Sequence, residues 1–463
     1  MKLRSCAAVF LRALPLALVV AAVSGVNADD DFPPKLAAQI LELEPDAQLF
    51  IHSGGIFDYM PRRQLEHEAD RRDPEGFARL VEEVLAVAAQ MGYDARRDMG
   101  AIPLNLNSKR FNEHNVTTPK ALRELEREPG PFSVHRYLFP TSGVPTFAGA
   151  PVAIWPEDLI AGKVDVAIVG IPNDMGSGRR NAEHGPRVMR ALNTIGMPDT
   201  QSLVDPMQTL SVVDYGDFAV DNMSTERTIA HVELMVAETA STGAIPMLVG
   251  GDTSMLYPGV KGVARHHGEG EFGLLHISAH PDVDRHAVHS VSDEQVLFLL
   301  LDENVVRGEH TIQVGLRGPA VTKDSLAWLR EKEVRYHTMA EIAEKGFAEV
   351  FKRVIKESQQ GPQQLFLSVD VSVIEPSEMI GAGRLTSNGL RVAELSRAVR
   401  YLCAAQDIVG FEITDMAPMF DRSGLSTVNA NALLNACLVG IAVRREGLGP
   451  EYVHPLAASH GRY

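Results

Sequence analysis

From Val164 onward the apolar positions fall into short, nearly continuous runs, separated by longer stretches in which apolar residues recur every three to four positions. Eight runs read as strands: 164–170, 211–215, 244–249, 273–278, 311–316, 334–337, 364–369 and 408–413. Between them, 226–240, 325–332, 347–358 and 392–405 have helical spacing. Strands apolar on both faces, alternating with helices, predict a parallel sheet covered on both sides. Eight such strands close into a barrel or stay open in three layers, and periodicity alone leaves both readings standing.

Upstream, residues 31 to about 135 are polar and charged. Within them 77–91 has the spacing of an amphipathic helix, and 119–128 is a second candidate. Pro74 is expected to interrupt any helix that crosses it. This stretch carries no obvious chemistry and reads as a packing or oligomer-contact extension.

Composition narrows the picture. Hydrophobic residues are 45% and charged residues 22% of the 463, ordinary values for a soluble globular chain. The formal net charge of -16 argues against a nucleic-acid partner, which needs clustered Lys and Arg. Lys2, Arg4 and Arg12, the apolar run 13–23 and the small residues around Val26-Asn27-Ala28 have the form of a signal peptide. The expected layout is a signal peptide over 1–28, an N-terminal extension over 29–138, a main domain over 139–447 and a tail over 448–463. The mature protein is expected to be soluble, secreted or periplasmic, with no membrane contact once the signal is removed. Organelle targeting is the alternative. Cys6 leaves with the signal, and Cys403 and Cys437 read as two buried free thiols, with a single bridge as the alternative. Asn115 and Asn222 stand in glycosylation sequons.

Candidate chemistry gathers where four of the strands end, the position at which parallel sheets place functional residues. The third runs into Gly250-Gly251-Asp252-Thr253, and the fourth into Ser278-Ala279-His280-Pro281-Asp282. The seventh runs into Asp370-Val371-Ser372, and the eighth into Thr414-Asp415. Residues two apart on a strand share a face, so Ser278 pairs with His280 and Asp370 with Ser372. Asp, His and carbonyl oxygens suit a hard divalent ion such as Mn or Mg. Any one such Asp, taken alone, is more simply a turn or helix cap.

These motifs, in this order, resemble those of the ureohydrolases, the arginase and agmatinase family. The family carries Gly-Gly-Asp-His, Asp-Ala-His-x-Asp and Ser-x-Asp-x-Asp with a following acid-Pro pair. Here the corresponding segments are Gly-Gly-Asp-Thr253, Ser278-Ala-His-Pro-Asp282 and Ser368-Val-Asp-Val-Ser372, then Glu375-Pro376. Further agreement comes from 142–147, 170–187, 315–318 and 410–418, so the resemblance spans about 140–445. It implies a three-layer α/β/α arginase-like fold with an eight-stranded parallel sheet, here with a mainly helical N-terminal extension, assembled as a homo-oligomer (trimer or hexamer).

The resemblance also implies six ligands to two manganese ions, at Thr253, Ser278, His280, Asp282, Asp370 and Ser372. Only His280, Asp282 and Asp370 have the family's residue types, and the other three positions are degenerate. A neutral hydroxyl is a weak ligand beside a carboxylate or imidazole, so one metal or none is expected. His280, Asp282 and Asp370 are the set for a single ion. The family's hydroxide, activated by two metals, attacks a guanidinium carbon. Asp415 falls at the acid that holds the guanidinium, and His289, or else His286, falls near the proton-transferring histidine. His276 reads as packing. Two functions follow: hydrolysis of a small cationic guanidino or amine compound, agmatinase-like, giving urea and an amine; or a noncatalytic relative acting as a binding or assembly subunit.

Overall fold

The computed structural model describes residues 32–91, 127–134, 143–177, 181–192, 194–286 and 291–461. They form two compact units, the first within residues 1–126 and the second from Arg127 onward.

The first unit is helical: α1 (Pro34–Leu41), α2 (Pro45–His52), α3 (Arg62–Arg71) and α4 (Pro74–Met91). Proline opens α1, α2 and α4, where its missing N–H has no partner to lose. Pro74 opens α4 three residues after α3 ends, so no helix crosses it, as expected. Leu36, Ile40, Phe50, Ile51, Leu65, Phe77 and Leu80 are buried together, so a segment that reads as a polar extension has a core of its own. The candidate helix at 119–128 lies almost wholly outside the described residues.

The second unit is built on β1 (Val166–Gly170), β2 (Val212–Asp217), β3 (Ile245–Val249), β4 (Gly273–Ile277), β5 (Thr311–Leu316), β6 (Arg335–Thr338), β7 (Gln364–Asp370) and β8 (Asp407–Thr414). Their order is β2-β1-β3-β8-β7-β4-β5-β6. Every pairing is parallel. The sheet has two edges, β2 and β6, which settles the choice for the open three-layer form. One face packs the helices Val392–Ala405 and Leu425–Arg445, and the other packs Thr225–Ser241, Leu256–His267 and Val296–Asp302.

The helix Leu425–Arg445 has no counterpart among the sequence candidates. It is long and apolar enough by composition to cross a membrane, yet 78% of its apolar stretch is buried in the domain. It lies against Val392–Ala405, where Gly440 permits close approach: a Cβ there would come within 2.5 Å of Arg400 O. Cys403 and Cys437 are joined across this contact as a disulfide. The expectation of two free thiols thus gives way to the bridge. Its cause is tertiary, because the packing of two helices side by side brings together cysteines 34 residues apart in sequence.

Candidate functional site

The sheet order makes β3, β8, β7 and β4 consecutive neighbours. The four polar strand ends therefore lie side by side at the carboxyl edge, although they are scattered over 250–415 in sequence. Gly251 has φ +75°, and a Cβ there would crowd Met255 at 2.8 Å and Ile171 O at 2.9 Å. That turn delivers Asp252, whose Oδ2 accepts from the backbone N–H of Gly176 (2.8 Å) and Ser177 (2.9 Å). Asp252 thereby anchors the loop after β1. Burial pushes its carboxyl above the usual range.

Asp370 is the hub. Its Oδ2 accepts from Thr253 Oγ1 (3.1 Å), Ser278 Oγ (3.0 Å) and Arg384 Nη2 (2.7 Å). Its Oδ1 accepts from the N–H of Ser372 (2.8 Å). The residues at two degenerate positions, Thr253 and Ser278, thus serve as hydroxyl donors to this carboxylate. Burial alone would raise Asp370, but the Arg384 guanidinium and His280 hold it well below the usual carboxylate range. His280 bridges Ser372 Oγ (3.3 Å, through Nδ1) and Thr386 Oγ1 (3.2 Å, through Nε2).

Arg384, which the sequence motifs do not include, occupies the centre of the cluster. It is 5% exposed. Its Nη1 donates to Asp282 Oδ1 (2.9 Å) and its Nε lies 3.2 Å from Asp293 Oδ2, a charge contact without hydrogen-bond alignment. Its backbone N–H donates to Asp415 Oδ2 (2.8 Å). A glycine before it is required, since a Cβ on Gly383 would meet Asp415 Oδ1 at 2.4 Å. Despite burial, the surrounding Asp282, Asp370 and Asp293 carboxylates hold the guanidinium well above its ordinary pKa. Burial lifts Asp293 to about 7 against the pull of Arg384, with Asp252, Asp282 and Glu294 adding to the rise. Burial, then the nearby Asp370, lifts Asp415 well above the carboxylate range.

Below the cluster a polar row crosses the sheet in register. His276 on β4 pairs with Ser368 on β7, and Ser368 pairs with Glu412 on β8. Ser368 Oγ donates to Glu412 Oε1 (2.8 Å) and lies 3.0 Å from His276 Nδ1, while His276 Nε2 lies 3.2 Å from Asp282 Oδ2. Burial pushes the Glu412 carboxyl up to about 8. His276 is thus a fixed link between Glu412 and Asp282, in keeping with a packing role.

The sequence candidates separate clearly. His280, Asp282, Asp370 and Asp415 converge around Arg384. His286 sits exposed in a turn, its N–H bonded to Asp284 Oδ1 (2.9 Å). His289 lies outside the described residues. The three-ligand set His280, Asp282 and Asp370 does not present a metal site: among the described residues no three His, Cys, Asp or Glu side chains are grouped to hold a metal ion. The reason is physical. Arg384 takes the Asp282 and Asp370 oxygens that a cation would need, and His280 engages Ser372 and Thr386. The residues present do not fit the metal pair that the motifs imply.

Over the cluster lies a cavity of about 890 Å³, lined by His280, Glu294, Arg317, Arg384, Thr386 and Asn388 among others. Arg317 fixes its wall by donating to the carbonyls of Thr386, Ser387 (2.9 Å) and Ser372 (2.8 Å).

A family model described as the arginase family matches residues 164–440. Guanidinobutyrase of Pseudomonas aeruginosa is 27% identical over 308 residues, covering 65% of this chain and 94% of that protein. The solved structure of proclavaminate amidino hydrolase from Streptomyces clavuligerus overlays with a TM-score of 0.61 at 23% identity, over 66% of this chain and 99% of that one. Formiminoglutamase from Trypanosoma cruzi, solved with Mn2+, has a TM-score of 0.55 at 21% identity, over 61% of this chain and 95% of that one.

Proposed function

The chain belongs to the arginase family, and from that premise we propose that it keeps the family's fold without metal-dependent hydrolysis and acts as a binding or assembly subunit. The observation that carries this reading is the ion pairing of Arg384 with Asp282 and Asp370, at 2.9 and 2.7 Å. These are two of the three carboxylate or imidazole ligands that the sequence retains. A divalent ion bound beside them would face the buried guanidinium at close range. At ~4 Å the repulsion is about 4 kcal/mol per unit charge with an effective dielectric near 20, hence about 8 kcal/mol for a dication. The Asp282 and Asp370 carboxylates that would offset it are already paired with Arg384, and Thr253, Ser278 and Ser372 supply only hydroxyls.

The cavity above Arg384 has the size of a small-molecule site. A small guanidino or amine compound is the ligand class that the relatives' names favour. Export belongs to the same reading, and its support is the Cys403–Cys437 disulfide, since such bonds persist in oxidising compartments.

The competing reading, hydrolysis of a guanidino compound to urea and an amine, rests on similarity to proteins named guanidinobutyrase and agmatinase. One experiment separates the two. Protein purified from manganese-supplemented culture is analysed for metal per chain and assayed for urea with agmatine, guanidinobutyrate and guanidinopropionate. The expected result is substoichiometric metal and no urea above a denatured control. About two manganese ions per chain with urea release would establish the hydrolase instead.

A further inference from the structure

The cluster contains carboxyl groups at Asp282, Asp293, Asp370 and Asp415 around one guanidinium, and all are buried. The cation comes from the chain itself. We propose that Arg384 is a built-in guanidinium ligand, and that Asp282, Asp293 and Asp370 form a guanidinium receptor permanently filled by that side chain. This deepens the preceding reading and rests on it for the absence of metal.

Two features argue that the receptor is formed independently of the side chain it holds. First, the segment carrying Arg384 is anchored by contacts that do not involve its guanidinium. Gly383 N–H donates to Asp415 O (3.0 Å), and Arg384 N–H to Asp415 Oδ2 (2.8 Å). Ala382 bridges Met416, and Arg317 grips the carbonyls of Thr386 and Ser387. Secondly, the carboxylates have their own supports. Asp370 is oriented by Ser372 N–H, Thr253 and Ser278, and Asp282 is held by His276 and by the N–H groups of Leu297 and Phe298 on its carbonyl. Cutting Arg384 back to alanine would leave the loop in place and open a planar, acid-lined space shaped for a free guanidinium ion, which supplies the same planar array of N–H donors.

The test is chemical rescue of Arg384→Ala, in full-length protein, with chelator present throughout. In guanidinium-free buffer the variant should melt below the wild type by roughly 5 °C or more, because breaking a buried pair leaves uncompensated carboxylates. Guanidinium chloride at roughly 10 mM should recover a large part of that loss, saturably, while equal concentrations of sodium chloride, methylammonium chloride and urea should not. The wild type, its receptor filled, should show no rise.

Arg384→Lys should be intermediate in stability and insensitive to guanidinium, since an ammonium is a point charge without the planar fork. If Arg384→Ala does not fold alone, its refolding yield is measured with and without guanidinium. The neutral control Arg384→Met with Asp282→Asn and Asp370→Asn should then refold without it. A variant as stable as the wild type, or one rescued equally by every salt or by none, overturns the proposal. Metal and urea measurements on the wild type test the preceding reading separately.

Discussion

At the scale of single residues, three substitutions and one arginine act together. Thr253, Ser278 and Ser372 stand where the resemblance calls for a histidine and two aspartates, and the first two donate hydroxyls to Asp370. Restoring His at 253 and Asp at 278 and 372 looks sufficient, from the motifs alone, to rebuild a manganese site. The structure predicts otherwise, because Arg384 stays in contact with Asp282 and Asp370. The triple variant Thr253→His, Ser278→Asp and Ser372→Asp should remain without stoichiometric manganese. Adding Arg384→Ala to it should raise binding towards about two ions per chain. Elemental analysis after gel filtration reads both; a triple variant that loads fully would show that Arg384 excludes nothing. The arginine was not legible in the sequence. It lies in the aperiodic stretch 375–391, and its role depends on that stretch folding back over Asp415. A charge count gives the one available clue: carboxylates kept at 282, 370 and 415 after the loss of metal ligands still require a cation, and Gly-Ala-Gly-Arg384 follows closely after Asp370.

At the scale of elements, the sheet was legible and the helical units less so. Each strand is a run of β-branched and other apolar residues bounded by polar turns, so its position follows from the pattern, with ends moved by at most two residues. The helix Leu425–Arg445 escaped because it is apolar nearly all round, and a buried helix has no polar face to set a period. Of the N-terminal helices, α4 follows from the spacing of 77–91, whereas α1, α2 and α3 escaped because each spans only eight to ten residues beside a proline that reads as a breaker. The disulfide belongs to this scale as well, since it joins two helices whose contact no local pattern reveals. Its closed loop of 34 residues implies about 3 to 4 kcal/mol of stabilisation through the unfolded chain. Cys403→Ala with Cys437→Ala should lower the unfolding free energy by about that amount, and the reductant sensitivity of the wild type should vanish in the variant. Denaturant titration with and without dithiothreitol measures both. Equal stability of the two proteins in oxidising buffer would mean that the thiols are free.

At the scale of the whole molecule, the interior and the surface both favour mild acid, but for reasons that salt distinguishes. The net charge of -16 makes the folded chain repel itself increasingly as pH rises. That effect acts between exposed charges and is screened over about 10 Å at 0.1 M salt. Glu412 acts differently: buried and lifted to about 8, it stays protonated in the folded state while the unfolded chain ionises near its ordinary value of about 4.3. The folded state therefore binds more protons between those two values. Stability must fall as pH rises from about 4.3 to about 8, with no contribution below that window. Asp158 has the opposite sign. Burial would raise it, but Arg127 and the N–H groups of Gly130, Ile154 and Trp155 lower it to about 2. Its contribution is present above pH 4 and disappears as pH drops towards 2. Asp293, lifted to about 7 by burial, acts with the same sign as Glu412, so both favour mild acid over pH 8. Moving from pH 5 to pH 8 should cost the wild type about 2 to 4 kcal/mol through Glu412, an upper range since the group is fully buried. Glu412→Gln keeps a carbonyl to accept from Ser368 and removes the ionisation, so its stability should change less over the same interval, the remaining interior slope coming from carboxyls such as Asp293, which burial lifts to about 7. Urea unfolding of both proteins at pH 5 and pH 8, in low and high salt, decides the matter. A slope flattened by salt alone belongs to the surface, and a slope flattened by Glu412→Gln alone belongs to the polar row beneath Arg384.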